Sequence, residues 1–241
     1  MASFNFETGT ESYSYGFDNV EVINETFRKV YQYMALGLII TAVTAYLTAS
    51  SPALLRLVYS SPVAILIIAL VEIILVIALR AAITKLSQIA ALLIFAGYSV
   101  LNGLLCSSIL LVYTASSIYQ AFFTTAAMFG AMSIYGLYTQ RDLTSLGSFL
   151  HMGLWGLLIA LVVNLFIGSS MIELVTSVMG VIIFVGLTAY DTAKIKTLAA
   201  SLSFDDGNIA GKIEIIGALE LYLDFVNLFL YLLRFMGKRK D

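Results

Sequence analysis

The chain has 241 residues, of which 60% are hydrophobic and 12% are charged, with a mean hydropathy of +0.95 and a net charge of −2. Soluble globular domains carry about twice that share of charged residues, so the composition excludes this class and predicts a polytopic membrane protein. The single cysteine, Cys106, excludes an intrachain disulfide and a cysteine-based metal cluster.

Residues 1–28 are acidic, aromatic and polar. They lack the basic start and the apolar centre of a cleavable signal peptide. We therefore expect a short cytoplasmic tail that is poorly ordered or lies on the membrane surface. The first apolar segment then acts as its own insertion signal.

Seven apolar runs of bilayer-spanning length follow this tail. Runs of this length cross lipid as helices, because a helix satisfies its own backbone hydrogen bonds. The connections are short, which predicts one transmembrane domain over residues 29–236 and a basic tail at 237–241. The predicted fold is an all-α polytopic membrane protein with seven transmembrane helices, at about 30–49, 62–80, 87–112, 118–138, 149–167, 173–192 and 213–235.

The last run, 213–235, carries polar residues on one face only. They follow one another at steps of four, three and four residues, which places them in one narrow stripe of a helix, formed by Glu220, Asp224, Asn227 and Tyr231. Acidic residues at membrane depth are costly, so the stripe must face protein or water. The pattern predicts that the last helix stands inside the bundle, with the other helices around it.

The distribution of Lys and Arg predicts the orientation. With a cytoplasmic N-terminus, the inner segments hold eight basic residues, the outer loops hold only Arg56, and the C-terminal tail adds four more outside. Because early loops usually dominate insertion, we expect the N-terminus inside and the C-terminus outside. The alternative is a re-entrant last segment that returns the basic tail to the cytoplasm.

The ionisable residues within the spans are Glu72, Arg80, His151, Asp191, Glu220 and Asp224. Asp191 and Arg80 lie at the inner ends of the sixth and second spans, and Asp224 lies two to three turns into the seventh from the same side. Asp191 and Asp224 can therefore meet near Arg80. Two carboxyls in contact share a proton and titrate as a coupled pair, which can place a change of protonation near physiological pH. The alternative is a purely structural network that holds helices together.

Other chemical signatures are missing from the sequence. No convincing Ser-His-Asp triad, glycine-rich phosphate loop or HExxH zinc motif can be assembled, and no basic-aromatic surface indicates nucleic-acid binding. We therefore expect no enzyme activity and no bound cofactor. Small residues in the middle spans, such as Gly130 and Gly136, favour close helix packing.

The sequence resembles the Bax inhibitor-1 family, particularly its bacterial members. The resemblance covers nearly all of the membrane region and rests on four segments in the same order, GLIITAVTAY, FGAMSIYGLYTQRDLTSLGSFL with the following GLLIALVVNLF, VIIFVGLTAYDTAKIK and ALELYLDFVNLFLYLLRF. It implies a seven-helix bundle with the seventh helix at its centre, in the inner membrane of a bacterium.

The resemblance also implies a function, because family members behave as pH-sensitive calcium leak channels. Their sensor is an aspartate pair on helices six and seven, latched by an arginine on helix two. AYDT assigns Asp191 and LYLDF assigns Asp224, whereas Arg80 lies in a less distinctive span. The link at 193–212, with Asp205 and Asp206, is longer than expected for compact members.

Calcium prefers carboxylate and carbonyl oxygens. The residues that suit it are Asp191 and Asp224 as ligands, with Glu220, Glu72 and Asn227 along an ion pathway.

The expected partners are the lipid bilayer and cations. The main alternative function is that of a regulatory protein, which binds a membrane protease or another membrane complex. An intramembrane aspartyl protease is disfavoured, since Leu223 and Asp224 do not form a Gly-x-Gly-Asp motif. A proton-coupled transporter is disfavoured because broken helices are missing.

Overall fold

The computed structural model describes residues 8–83, 85–201 and 207–240, with side chains described from residue 20 onward, except those of residues 207 and 208. Within these ranges the chain is almost entirely helical. The helices are α1 (Thr8–Ser50), α2 (Pro52–Tyr59), α3 (Pro62–Ala82), α4 (Gln88–Val112), α5 (Ala115–Tyr138), α6 (Thr144–Ile167), α7 (Ser170–Ala200) and α8 (Gly207–Met236). All except the short α2 are long and apolar enough to cross a membrane. The predicted seven-span, all-α fold is therefore confirmed.

Two helices extend well beyond the predicted spans. α1 begins at Thr8, so the predicted tail is helical from that residue onward. Near the start of the span, Glu25 stabilises the helix through ion pairs with Arg28 at 3.9 Å and Lys29 at 3.2 Å. α7 continues to Ala200, so most of the predicted 193–212 link is helical. Asp205 and Asp206 of that link lie outside the described residues.

Several helices begin at serine caps. The Ser61 hydroxyl accepts a hydrogen bond from the Ala64 backbone N–H at 3.3 Å, and Pro62 occupies the first turn of α3. Ser87 caps α4 in the same way, accepting from Ala90 at 3.2 Å. Such caps satisfy backbone donors that the first helical turn leaves unpaired, which fixes where these spans start.

α8 lies at the centre of the bundle. In its most apolar window 72% of the residues are buried, whereas the other six spans have between 6% and 39% buried. α8 packs against α1, α4, α5 and α7, and residues such as Leu219, Tyr222 and Leu228 are inaccessible. α3 and α6 instead expose large apolar side chains to the surrounding lipid, including Ile67 and Phe166. The predicted central position of the last helix is confirmed.

The C-terminal tail fixes the path of α8. The Lys240 backbone N–H donates to the Val112 carbonyl at 2.8 Å, and the Thr114 N–H donates to the Lys238 carbonyl at 3.1 Å. The tail therefore lies beside the α4–α5 connection, at the opposite end of the bundle from the point where α7 ends and α8 begins. α8 thus runs the full length of the bundle.

Candidate functional site

The polar stripe of α8 faces α7, its antiparallel neighbour. Because the helices are antiparallel, residues later in α8 contact residues earlier in α7. Glu220 meets Lys194, Asp224 meets Asp191, and the Tyr231 ring stacks on Phe184 with 5.7 Å between ring centroids. The stripe predicted from spacing is therefore a packing surface between the sixth and seventh spans.

Asp191 and Asp224 form a buried carboxyl pair. Their exposed fractions are only 7% and 3%. The two carboxyls lie within hydrogen-bonding reach of each other. Oδ2 of Asp224 has no protein donor among the described residues. Two ionised carboxylates only accept hydrogen bonds, whereas a proton on either carboxyl supplies the missing donor. The geometry therefore fits a pair that holds one proton.

Glu220 anchors two cations one helical turn away from the aspartate pair. Its Oε1 lies 2.8 Å from Nζ of Lys194 and 3.4 Å from Nη2 of Arg80. Glu220 is 4% exposed, whereas the Arg80 side chain is 47% exposed. A buried carboxylate needs such partners, because an unpaired charge in this environment is strongly unfavourable.

Arg80 therefore pairs directly with Glu220 and not with the aspartates. It still attracts both aspartates through space, as does Lys194 for Asp191. The structure thus brings together the three predicted sensor residues Asp191, Asp224 and Arg80, with Glu220 between the arginine and the pair.

The charges of this cluster balance when the pair holds one proton. Its three carboxyls are Asp191, Asp224 and Glu220, and its two ion-paired cations are Arg80 and Lys194. His151 of α6 also acts electrostatically on Asp191. With His151 neutral, full ionisation of the carboxyls leaves one surplus negative charge in a buried site. One shared proton neutralises the cluster, which is the favoured state where water is scarce.

Sequence reasoning gave Lys194 no role in the site, although a signal was present. Lys194 follows Asp191 by three residues, so both lie on one face of any helix that continues past the predicted end of the span. The predicted end at residue 192 placed Lys194 in a loop. Because α7 continues to Ala200, Lys194 is helical and lies on the same face as Asp191.

Glu214 forms a second buried ion pair that sequence reasoning missed. It is 2% exposed, and its Oε1 lies 3.1 Å from Nζ of Lys29 on α1. The signal was the opposite charge of these residues at the inner ends of the first and seventh spans. The pair ties α8 to α1, next to the end of the bundle that holds the cluster.

Among the described residues, neither Glu72 nor Asn227 has a hydrogen bond to the aspartate pair. Glu72 lies on α3 beside Asn102 of α4. The Asn227 amide donates to the Leu223 carbonyl of its own helix at 2.8 Å. Across the described parts of the chain, no group of three or more His, Cys, Asp or Glu residues is arranged to hold a metal ion. An ion in contact with the aspartates would therefore have to draw most of its ligands from elsewhere.

Comparison with known proteins places the chain in a family. The family model described as "Inhibitor of apoptosis-promoting Bax1" matches residues 23–241. The inner membrane protein YbhL of Escherichia coli is 45% identical over 212 residues, which cover 88% of this chain and 91% of YbhL. An uncharacterized protein of Borreliella burgdorferi is 43% identical over 218 residues, which cover 90% of this chain and 94% of that protein. The chain therefore belongs to the Bax inhibitor-1 family.

Proposed function

We propose that this chain is a pH-sensitive cation leak protein of a bacterial inner membrane, with calcium as a permeant ion and the Asp191–Asp224 pair as its sensor. The observation that carries the proposal is the contact between these two buried carboxyls on α7 and α8. Family membership supports it, and the printed name of the Escherichia coli relative supports the membrane assignment.

In the closed state the pair shares one proton, and the resulting hydrogen bond holds α7 against α8. Loss of this proton leaves two like charges in a low-dielectric site, where repulsion is much stronger than in water. The two helices then separate at this level. The open state thus binds fewer protons than the closed state, so a rise in pH favours opening.

Glu220 with its two cations forms the second part of this gate. Lys194 belongs to α7 and Arg80 ends α3, so the Glu220 carboxylate of α8 joins three helices at one point. These ion pairs keep the inner end of the bundle together while the aspartates carry the titration. Opening requires the α7–α8 contact to loosen at both levels.

The ionised pair also suits the permeant ion chemically. Calcium takes six to eight oxygen ligands, and two carboxylates supply at most four of them. Water molecules complete such a shell, which gives a weak site that an ion can leave. Weak and transient binding is what conduction requires.

Calcium flux into proteoliposomes that contain only the purified protein tests this function. We expect calcium entry above that of protein-free liposomes, with a rate that rises between pH 5 and pH 8. A protein that only regulates other membrane proteins gives no flux in this assay at any pH, and that result would refute the proposal.

A further inference from the structure

An apolar cavity opens on the side of the bundle, at the end that holds the C-terminal tail. Its volume is about 420 Å³. The rim includes Tyr46, Tyr119 and Phe123, whose exposed fractions of 65–68% show that the cavity faces the surrounding lipid. Its walls come from α1, α4 and α5. It therefore opens to the hydrocarbon region and not to an aqueous face.

The floor of the cavity is the central helix itself. Phe225, Val226 and Phe229 of α8 line it. α5 packs mainly against α7 and α8, so a cleft is left between α5 and the tightly packed α1–α4 pair. Small-molecule pockets are typically about 300–1,000 Å³, and this cavity lies within that range. This volume suits one acyl chain.

Basic residues of the C-terminal tail lie next to this cavity. Nζ of Lys240 donates to the carbonyl of Leu110 at 2.8 Å, and Leu110 is itself a lining residue. The backbone N–H of Lys238 donates to the Ser117 hydroxyl at 2.9 Å, at the start of α5. Arg239 is compensated by Glu173 at 3.3 Å. Among the described residues, neither Lys238 nor Lys240 pairs with a carboxylate.

We infer that this cavity binds one anionic phospholipid, with an acyl chain along Phe225 and Phe229 and the headgroup phosphate at Lys238 and Lys240. The position of two tail lysines, neither paired with a carboxylate among the described residues, beside an apolar cleft is what carries the inference. The hydrocarbon of the bilayer is as apolar as the cleft, so an acyl chain gains little free energy by moving from one to the other. Apolar contact alone therefore selects no lipid. Selection comes from the two lysines, which favour a negatively charged headgroup.

Native mass spectrometry of the protein released from mixed bilayers tests this site. The probe is a nanodisc with equal amounts of phosphatidylglycerol and phosphatidylethanolamine. Each basic residue close to an anionic lipid is worth about fivefold in affinity. We therefore expect preferential retention of phosphatidylglycerol, and a fall of that preference by roughly tenfold or more in Lys238→Gln/Lys240→Gln. Raised salt should weaken the preference of the wild type, because it screens exposed charges.

Two matched controls separate a site from general charge attraction. Lys85→Gln/Arg141→Gln removes the same charge at the opposite end of the bundle, where both residues are exposed, and it should keep the wild-type preference. Ala42→Phe fills the cavity from an exposed lining position, whereas Ala78→Phe adds the same ring on the lipid face of α3. Only Ala42→Phe should lower lipid retention. Equal losses in the two members of either comparison, or no preference in the wild type, would overturn the inference.

Discussion

The ammonium of Lys194 lies 2.8 Å from the Glu220 carboxylate, on the two helices that also carry the aspartate pair. Arg80 reaches the same oxygen at 3.4 Å from the end of α3. Glu220 therefore has two cationic partners, and the loss of one leaves the other in place. Because of this redundancy, the removal of Arg80 alone is expected to have only a small effect.

Arg80→Ala alone should raise the basal leak only modestly, because Lys194 still compensates Glu220. Arg80→Ala/Lys194→Ala should raise it strongly, since it leaves a buried carboxylate unpaired. The expected loss of stability is about 3–5 kcal/mol. Thermal unfolding in detergent and calcium flux at a fixed pH measure the two effects.

Glu220→Gln in the double-variant background is the control for this prediction. It removes the unpaired charge and keeps the shape of the side chain, so it should restore much of the stability. Equal flux in the wild type and the double variant would show that these ion pairs do not hold the inner end closed.

Gly136→Ala and Gly130→Ala should change stability in opposite directions. A Cβ at Gly136 meets the Ala189 carbonyl of α7, and lies 2.9 Å from Cβ of Thr192, so α5 and α7 would have to move apart. Such overpacking costs about 1–3 kcal/mol. At Gly130 no atom outside the backbone of its own helical turns lies within 4 Å of the new methyl group. There the better helix propensity of alanine should add roughly 0.5–1 kcal/mol. Thermal unfolding of both variants in one detergent measures the difference, and a loss of stability at Gly130 equal to that at Gly136 would contradict the packing described here.

The two ends of the chain should lie on opposite sides of the membrane. α8 crosses the bundle and its tail pairs with the α4–α5 connection, so an odd number of spans separates the termini. The basic residues of the early loops predict a cytoplasmic N-terminus. A reporter that is active only outside the cytoplasm should therefore work when fused after Asp241. A fusion at that position active only in the cytoplasm, together with a cytoplasmic N-terminal fusion, would contradict the seven-span topology.

Much of this fold follows from the sequence because lipid leaves few choices. Long apolar runs have to form helices, and the acidic stripe beginning at Glu220 has to face the interior. The ends of the helices were less predictable. Lys194 lies beyond the apolar part of its span, and hydropathy gave no sign that α7 continues to Ala200.

The choice of partners within the site could not be read from the sequence. Spacing places Asp191 and Arg80 at the same ends of their spans and Asp224 two to three turns into the seventh, but it does not say which carboxylate the guanidinium meets. That depends on how α3 and α8 are placed around α7, which is decided by packing over the whole bundle. The sequence consequently predicted the members of the cluster better than its pairing.

The central claim is that one proton shared by Asp191 and Asp224 keeps the protein closed. If the closed state holds one more proton than the open state, the ratio of open to closed protein rises by up to tenfold per pH unit over the range in which the closed state keeps that extra proton, and it levels off at higher pH. Asp191→Asn and Asp224→Asn keep the shape and hydrogen-bonding capacity of the side chain but remove one titrating group. Each single variant should therefore flatten the pH profile.

The most direct measurement is calcium flux into proteoliposomes from pH 5 to pH 8 for the wild type, Asp191→Asn, Asp224→Asn and the double variant. We predict a flux that rises with pH in the wild type, flat profiles in both single variants, and a double variant no worse than the worse single variant, because coupled sites are not additive. Wild-type pH profiles in both single variants, or effects that simply add in the double variant, would contradict a shared-proton gate.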